Sequence, residues 1–363
     1  MAAGVLLSFA ALGSCDGATA PASGDGSAPG AVAARARARP RAAAGGTLLD
    51  RNDPQALRLV SYNVLWNSIF AAVDPRGAAR FARLVRALDP DILCLQEIGV
   101  HPRDMGQPDA RRWTAADVIE LLNVLLPVPG GWHAFQGGDN VVASRFPLAR
   151  ARARTVPEPE RSQAIALVDL PDERFAADFY VLVNHFKCCD PQRYDAARQQ
   201  QADAIVAWLR DALEAGGQEH LARGTPFAVV GDLNIVGSSQ PVMTLVEGDV
   251  QDERRYGADF APDWDGSSLT DLRPRHNADP QGEDWTWRND SDRFPPGRLD
   301  YVIYSDSVLE VSHSLVLDTT TWSTADLARA GLERYDVTAD GVGRVFDHLP
   351  LVCDFRVQTL EAQ

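Results

Sequence analysis

The chain has 363 residues, 45% of them hydrophobic, which is enough to bury a large core in one big domain or two modest ones. Its formal net charge is −15; the first 46 residues hold four arginines against two aspartates, so the remainder carries −17. An acidic body of this kind excludes tight, non-specific binding of nucleic acid through a basic surface, although bound cations can create a local positive site.

The chain begins with a short hydrophobic stretch that ends at a cysteine. Val5–Leu12 is apolar and has the length of a signal-peptide core, well short of a membrane span. Leu12-Gly13-Ser14-Cys15 resembles the bacterial lipobox, whose cysteine is lipidated after cleavage. We therefore expect residues 1–15 to be a lipoprotein-type signal peptide, with Cys15 as the lipidation site. The alternative is an unstructured Ala-rich leader, because residues 1–4 contain no Lys or Arg.

This interpretation predicts an exported protein. It would be lipid-anchored at the bacterial cell envelope, in the periplasm or on the cell surface, or else secreted, and the lipid would be its contact with the membrane. Residues 16–50 are rich in Ala, Gly, Ser, Pro and Arg without a period of 2 or 3.6, which predicts a disordered tether. Residues 51–363 are expected to form a single domain and to act as a monomer.

Four cysteines lie beyond the tether. Cys94 and Cys353 occur in apolar runs and are predicted to be small buried side chains. Cys188 and Cys189 are adjacent, so they lack the spacing of a zinc site. The sequence leaves open whether this pair forms a vicinal disulfide, pairs elsewhere or stays reduced.

Strand-like and helix-like segments alternate from Leu57 onward. Three helices are predicted: one that begins at Asp74-Pro75, one from Thr114 to near Leu126, and one from Arg193 to Glu214. The predicted strands are Leu57–Asn63, Asp91–Gln96, Trp132–Phe135, Asn140–Ser144, Gln163–Asp169, Phe179–Asn184, Phe227–Gly231, Leu299–Tyr304 and Leu349–Phe355. Several strands follow one another without a helix between them, which favours packed mixed sheets over a parallel βαβ repeat. The irregular stretch 249–298 is predicted to be a substrate-facing loop region.

Polar side chains suited to phosphoester chemistry occur at the ends of these strands. Hydrolysis of a phosphate ester needs a cation, a group that orients or deprotonates water, and donors to the developing charge. Each residue taken alone has an ordinary structural explanation, such as a turn or a strand end. Taken together they are candidates for one site: Asn63, Glu97, His185, Asp232, Asn234, Asp300, Asp347 and His348.

Six motifs in chain order resemble those of the endonuclease/exonuclease/phosphatase superfamily. They are Ser61-Tyr62-Asn63, Leu95-Gln96-Glu97, Asn184-His185-Phe186, Gly231-Asp232-Leu233-Asn234, Leu299-Asp300-Tyr301 and Asp347-His348-Leu349-Pro350. Ser144-Arg145-Phe146-Pro147 and Trp285-Thr286-Trp287 add two lesser matches. The resemblance implies an α/β fold of the α+β type: a four-layer α/β sandwich of two mixed β-sheets with helices on the outer faces.

The resemblance also implies roles for the candidate residues. Glu97 is expected to be the principal ligand of Mg²⁺ or Mn²⁺, with Asn63 and Asp347 completing the metal environment. Asp232 is expected to orient or deprotonate water, and Asn234 to donate to a phosphoryl oxygen; if the backbone is extended, their spacing of two positions puts both side chains on one face. Further donors to the phosphate would be His348, oriented by Asp300, and His185.

The substrate is the least determined property. The leading hypothesis is a metal-dependent phosphodiesterase, a nuclease acting on DNA or RNA, because Asn184-His185-Phe186-Lys187 is nuclease-like. A phospholipid-headgroup phosphodiesterase of the sphingomyelinase kind is favoured by a lipid anchor and by Trp264, Trp285 and Trp287; an inositol-phosphate phosphatase is a further alternative. An inactive binding module is disfavoured because no motif residue is lost. Two questions stay open: whether one or two cations act, and whether His348 or a neighbouring group protonates the leaving oxygen.

Overall fold

Two six-stranded sheets form the centre of the computed structural model, which describes residues 46–99, 111–155, 162–290, 294–337 and 346–360. The strands in these ranges are β1 (Leu57–Asn63), β2 (Ile92–Gln96), β3 (His133–Gly137), β4 (Asn140–Ser144), β5 (Leu148–Thr155), β6 (Ser162–Val168), β7 (Phe179–His185), β8 (Phe227–Asp232), β9 (Thr270–Asp271), β10 (Asp300–Tyr304), β11 (Leu309–Val316) and β12 (Leu351–Val357). The helices are α1 (Pro75–Leu88), α2 (Ala115–Leu125), α3 (Pro191–Leu213), α4 (Gln240–Glu247), α5 (Glu253–Tyr256) and α6 (Thr324–Ala330). Among these described helices, none has the length and apolar character needed to span a bilayer.

The order of strands brings the polar strand ends to one edge. One sheet has the order β11-β12-β1-β2-β4-β3 and the other β5-β6-β7-β8-β10-β9. Each contains one parallel pair, β1 with β2 and β7 with β8, among antiparallel neighbours. The two parallel pairs place Asn63 beside Gln96 and His185 beside Asp232. Because β10 runs antiparallel to β8 and begins where β8 ends, Asp300 also pairs with Asp232.

Alternating apolar side chains build three layers of core. In β1, Leu57 and Leu59 point into the core between the sheets, whereas Val60 and Tyr62 point toward the helices that cover the outer face. The outer core of the first sheet packs against α1 and α2, and that of the second sheet packs against α3 and α4. The predicted four-layer sandwich is thereby confirmed. The predicted burial of Cys94 and Cys353 in the middle layer is confirmed as well.

Several elements were not predicted from the sequence. Strand β5 has the sequence Leu-Ala-Arg-Ala-Arg-Ala-Arg-Thr, so its alternation is of small and charged residues rather than of apolar and polar ones. It lies at the edge of its sheet, where charged side chains are tolerated and protect an open strand. Strand β11 and helices α4 and α6 were also missed, because each is short or weakly apolar.

The predicted loop region 249–298 packs against both sheets: Trp264 and Leu269 join the outer core of the second sheet, and Trp285 packs against that of the first. It contains α5 and β9. Trp264 is buried, and its indole N–H donates to the carbonyl of Thr225 at 2.8 Å. Arg298 donates from Nη1 to Asp271 Oδ2 at 2.9 Å. The expectation that this whole region faces substrate is therefore wrong for its first part.

The chain already packs against the domain before the predicted boundary at residue 50. Leu49 is buried in the outer core of the first sheet, and its carbonyl accepts a hydrogen bond from Arg58 Nη1 at 2.7 Å. Residues 46–50 therefore lie against the domain rather than in a tether. Cys15 and the predicted signal peptide lie outside the described residues, as does the predicted tether up to residue 45.

Candidate active site

The side chain of Asn63 joins two carboxylates that come from different sheets. Its Nδ2 donates to Glu97 Oε1 and to Asp232 Oδ2, each at 3.1 Å. Its Oδ1 accepts from the backbone N–H of Leu65 at 3.1 Å. In this orientation Asn63 presents N–H groups, not its oxygen, to the carboxylates. It therefore acts as a clamp that holds Glu97 close to Asp232.

Glu97 follows directly on β2 in an unusual backbone conformation. Its φ is +66°, a left-handed value that costs a non-glycine residue free energy and that is concentrated at functional sites. Burial raises the pKa of its carboxyl, and the nearby carboxylate of Asp347 raises it further, whereas His185 opposes the shift. The carboxylate is thus held near a second negative charge in a poorly solvated place, an arrangement that a cation would stabilise.

Asp232 lies between two histidines. Its Oδ2 is 3.5 Å from His185 Nε2 and 3.7 Å from His348 Nε2. Burial raises the pKa of Asp232 to about 6, and the two histidines oppose that rise. A carboxylate with this pKa is ionised near neutral pH and can accept a proton from water, which suits a general base.

Each of the two histidines is oriented by a carboxylate on its other nitrogen. His348 Nδ1 lies 2.7 Å from Asp300 Oδ2, and His185 Nδ1 lies 2.7 Å from Asp139 Oδ2. The Nδ1–H of each ring donates to its carboxylate, so each Nε2 faces the centre of the site. The pKa of His348 is raised to about 10: burial opposes this, but the carboxylates of Asp300 and Asp232 together outweigh burial. His348 is therefore an imidazolium at neutral pH.

Asp139 was not singled out from the sequence. It precedes β4, which runs antiparallel to β2, so the start of β4 lies at the same edge as the end of β2. The backbone N–H of Ile98 donates to the Asp139 carbonyl at 3.0 Å, which fixes this turn beside Glu97. The available signal was the polar pair Asp139-Asn140 at the start of a buried strand.

A short segment of the 249–298 region holds the last two candidates in place. The indole N–H of Trp287 donates to Asp347 Oδ2 at 3.1 Å, and the N–H of Arg288 donates to the Asp347 carbonyl at 2.8 Å. Thr286 Oγ1 accepts from the N–H of Asp300 at 2.9 Å. Thr286–Arg288 therefore positions both Asp347 and Asp300. The sequence had indicated this segment only through the lesser match Trp285-Thr286-Trp287.

The backbone at Asn234 does not have the extended conformation that would place its side chain on one face with that of Asp232. Its φ is +50°, so the segment after β8 is not extended. The N–H of Asn234 donates to Asp232 Oδ1 at 2.9 Å in a tight turn, and its Nδ2 donates to the carbonyl of Phe186 at 3.3 Å. Asn234 thus orients Asp232 through its backbone instead of sharing a face with it.

The seven other candidates are brought together at one edge. Four carboxylates, those of Glu97, Asp232, Asp300 and Asp347, meet two histidines, so the centre is rich in negative charge. Within the described part of the chain, no group of three or more His, Cys, Asp or Glu residues has the arrangement of a metal-binding cluster. Mg²⁺ does not require one, because it is commonly bound by one or two carboxylates and several water molecules. The residues present therefore fit a hydrated Mg²⁺ or Mn²⁺.

The three tryptophans of the 249–298 region do not form an exposed apolar face. Trp264 is buried, as described above, and Trp285 and Trp287 are half-buried. Trp285 packs edge-on against the ring of His276, at 4.3 Å between centroids. Near the site, Lys187 Nζ lies over the ring of Tyr194 at 4.5 Å, and the sulfur atoms of Cys188 and Cys189 are 2.6 Å apart.

Comparison with known proteins gives a consistent result. The model of the Endonuclease/Exonuclease/phosphatase family matches residues 60–323. The fold is similar to that of D. rerio TDP2 humanized by 14 mutations, with 14% identity over 84% of this chain and 100% of that chain and a TM-score of 0.51. It is also similar to the endonuclease/exonuclease/phosphatase from Bacteroides vulgatus (13% identity, 83% and 99% covered, TM-score 0.52) and to ANGEL2, a 2',3'-cyclic phosphatase, in complex with adenosine-2',3'-vanadate (17% identity, 83% and 95% covered, TM-score 0.53). Comparison with curated protein sequences finds no match.

Proposed function

The chain belongs to the endonuclease/exonuclease/phosphatase family, and from this we propose that it is a divalent-metal-dependent phosphodiesterase acting on nucleic acid. The observation that carries the proposal is the position of Asp232 between two histidines, each of which has its own carboxylate partner. This arrangement supplies one ionised acceptor and two oriented donors within a few ångströms, as hydrolysis of a phosphodiester requires.

Glu97 and Asp347 would hold the cation. Asn63 supports them by donating to Glu97 and Asp232, so its role is to position carboxylates. When bound, Mg²⁺ or Mn²⁺ neutralises charge on the phosphoryl oxygens. Glu97 and Asp347 are suited to this role because burial, and then the charge of Asp347, raise the pKa of Glu97, and a cation held between the two carboxylates would offset their repulsion.

The remaining steps belong to side chains of this protein. Asp232, oriented by the N–H of Asn234, accepts a proton from the water whose oxygen attacks phosphorus. The bond from phosphorus to the leaving oxygen breaks, and His348 donates the proton on its Nε2 to that oxygen. Asp300 stabilises the imidazolium form that makes this donation possible. His185, whose Nδ1–H donates to Asp139, donates a hydrogen bond from Nε2 to a non-bridging oxygen when both of its ring nitrogens carry a proton.

Nucleic acid is the substrate class that we favour. The segment Asn184-His185-Phe186-Lys187 follows the nuclease-like pattern. The alternative of a phospholipid headgroup was suggested partly by three tryptophans, and these are buried or engaged within the fold. The lipid alternative therefore loses that support, and it remains as one arm of the experiment.

The test uses purified protein with Mg²⁺ or Mn²⁺ and four substrate classes: single- and double-stranded DNA, RNA, sphingomyelin and inositol phosphates. Bis-p-nitrophenyl phosphate reports on basal diester cleavage. We expect cleavage of this diester and of a nucleic acid, and a loss of at least about 100-fold in Asp232→Ala. The matched control is Asp263→Ala, which removes a buried carboxylate that bonds Ser307 outside the site. Cleavage of sphingomyelin alone, or equal activity of Asp232→Ala and wild type, contradicts the proposal.

Export as a lipoprotein is a separate proposal. It rests on Leu12-Gly13-Ser14-Cys15 following the apolar stretch Val5–Leu12. The protein expressed in a bacterial host should incorporate labelled palmitate into the membrane fraction, and Cys15→Ala should not. Labelling that persists in Cys15→Ala, or recovery of the wild type in the cytoplasmic fraction, contradicts it.

A further inference from the structure

Trp66 is exposed inside a run of buried residues. From Ala56 to Phe70 all residues except Trp66 are buried, and Trp66 keeps 44% of its surface exposed. The other seven tryptophans of the chain are buried or half-buried. Burial of an indole ring is one of the largest favourable contributions that a side chain can make to folding. The exposed indole ring of Trp66 is therefore available for contact with a ligand.

The backbone around Trp66 is held in a conformation that proteins rarely keep without a reason. Leu65, Trp66 and Asn67 are three consecutive non-glycine residues with left-handed φ values of 42°, 50° and 64°. Such residues cost free energy and persist where surrounding contacts fix them. Here the N–H of Leu65 donates to Asn63 Oδ1 at 3.1 Å, and the N–H of Asn67 donates to the Glu97 carbonyl at 3.0 Å. These hydrogen bonds fix the backbone on both sides of Trp66.

This loop is attached to the proposed cation ligand. The backbone N–H of Trp66 donates to Glu97 Oε2 at 2.9 Å, while Asn63 donates to the other oxygen of the same carboxylate. The ring of Trp66 therefore lies within about one side-chain length of Glu97, the residue proposed to hold the cation. In a nucleic acid the base lies one sugar away from its phosphate, which is a similar distance.

The charge of the protein makes a non-ionic contact with substrate important. With a formal charge of −15, the protein repels the phosphate backbone at long range, so ionic contacts along a strand contribute little to affinity. Stacking of a base on an aromatic ring depends little on charge or on base identity. It requires a base whose face is free, which a duplex does not offer.

We propose that Trp66 is a stacking platform for a substrate base and that the enzyme acts on unpaired nucleic acid strands. This inference rests on the proposed function and narrows its substrate class. Trp66 binds the nucleotide next to the reacting phosphate. It therefore lowers KM for strands that carry bases relative to strands that lack them. The chemistry itself stays with Asp232 and the two histidines.

The test compares two strands that carry the same phosphates: a short oligothymidylate and a strand of the same length made of abasic residues. Steady-state kcat and KM are measured with Mg²⁺ for the wild type, Trp66→Phe and Trp66→Ala. For the wild type we expect a KM about ten-fold to hundred-fold lower on the thymidine strand than on the abasic strand. In Trp66→Ala the two KM values should converge, and in Trp66→Phe most of the difference should remain, because a phenyl ring still stacks.

The matched control variant is Tyr335→Ala. Tyr335 is 46% exposed, close to the exposure of Trp66, but it lies next to Asp336, which pairs with Arg83 of α1. We expect the difference between the two strands to persist in this variant. Annealing the thymidine strand to its complement should raise KM for the wild type, because the base faces become hidden.

Four results would overturn the proposal. One is a KM ratio that is unchanged in Trp66→Ala, and another is a loss of kcat that is equal on both strands, which would mean that Trp66 only holds Glu97 in place. A third is preference for the duplex, and the fourth is binding to sphingomyelin vesicles that depends on Trp66, which would assign the ring to a membrane surface. If the wild type cleaves bis-p-nitrophenyl phosphate but neither strand, the nucleic-acid part of the proposed function fails, a result distinct from failure of the Trp66 role.

Discussion

Replacement of Asp300 by Asn should weaken His348 as a proton donor without unfolding the protein. Asp300 is fully buried, and its Oδ2 lies 2.7 Å from His348 Nδ1. The pKa of His348 is raised from 6.5 to about 10, against the effect of burial, with Asp300 contributing more than Asp232. A difference of roughly 3.5 pH units corresponds to about 5 kcal/mol of preference for the imidazolium, at about 1.4 kcal/mol per unit. Asn keeps an acceptor for the Nδ1–H but removes the charge.

The direction of the pH effect follows from the role of His348. The residue acts as an imidazolium, so activity is present below its pKa and is lost as the pH rises through it. In Asp300→Asn the alkaline limb of the kcat profile should therefore move down by about two pH units, and kcat at pH 9 should fall about ten-fold, because about nine-tenths of the His348 rings are protonated at that pH in the wild type and about one-tenth in the variant. The pKa itself can be measured by NMR titration of the His348 ring in chelator-treated protein. Activity on bis-p-nitrophenyl phosphate is measured with Mg²⁺.

A second buried Asp–His pair provides the matched control. His276 Nδ1 lies 3.4 Å from Asp318 Oδ2, outside the site. Asp318→Asn removes a carboxylate of similar burial and should leave the pH profile of kcat unchanged. If Asp300→Asn keeps kcat within three-fold of the wild type up to pH 9, or if Asp318→Asn produces the same loss, the assignment of His348 as the oriented donor is refuted.

Three further variants test other parts of the structure. Asp139→Asn should lower kcat on bis-p-nitrophenyl phosphate about ten-fold to hundred-fold, because the carboxylate orients His185; unchanged kcat would remove Asp139 from the site. Asp354→Asn should lower the free energy of unfolding in urea by about 3–5 kcal/mol, because it leaves the buried Arg58 without its charge partner. Burial raises the pKa of Asp354, but Arg58 and a neighbouring histidine lower it below 3.8. The stability that the Asp354 carboxylate contributes is therefore present above pH 3.8 and is lost as the pH falls through its pKa in the folded state. A stability difference between Asp354→Asn and the wild type that persists at pH 2 would contradict this. Gly231→Ala should lower thermal stability by at least about 2 kcal/mol, since φ is +125° and a Cβ would lie 2.0 Å from a carbonyl oxygen of β7; an unchanged melting temperature would contradict the geometry.

The central strands were predictable because their physical signal is local. Strand β8 is buried along its whole length, so its sequence is a continuous apolar run that ends abruptly in Asp232. Strand β1 has the same character and ends in Asn63. A polar residue directly after a buried strand marks a strand end, and parallel neighbours bring such ends together. The convergence of the seven candidates followed from this rule and from the ordered motifs.

Other features depend on contacts between distant parts of the chain and leave little local trace. Asp139 acquires its role through pairing of β4 with β2 and through a histidine 46 positions away. The left-handed turn at Asn234 is set by hydrogen bonds to Asp232 and Phe186, and neither bond is encoded in the spacing of residues. The edge strand β5 was hidden because edge strands are not required to be apolar.

The most direct test of the whole account is the dependence of activity on a cation held by Glu97. Wild-type protein dialysed against excess chelator should lose hydrolysis of bis-p-nitrophenyl phosphate and regain it when Mg²⁺ or Mn²⁺ is added. Glu97→Gln should bind Mn²⁺ at least about ten-fold more weakly in a titration followed by electron paramagnetic resonance. Full activity in excess chelator, or equal Mn²⁺ affinity of the two proteins, would contradict the account.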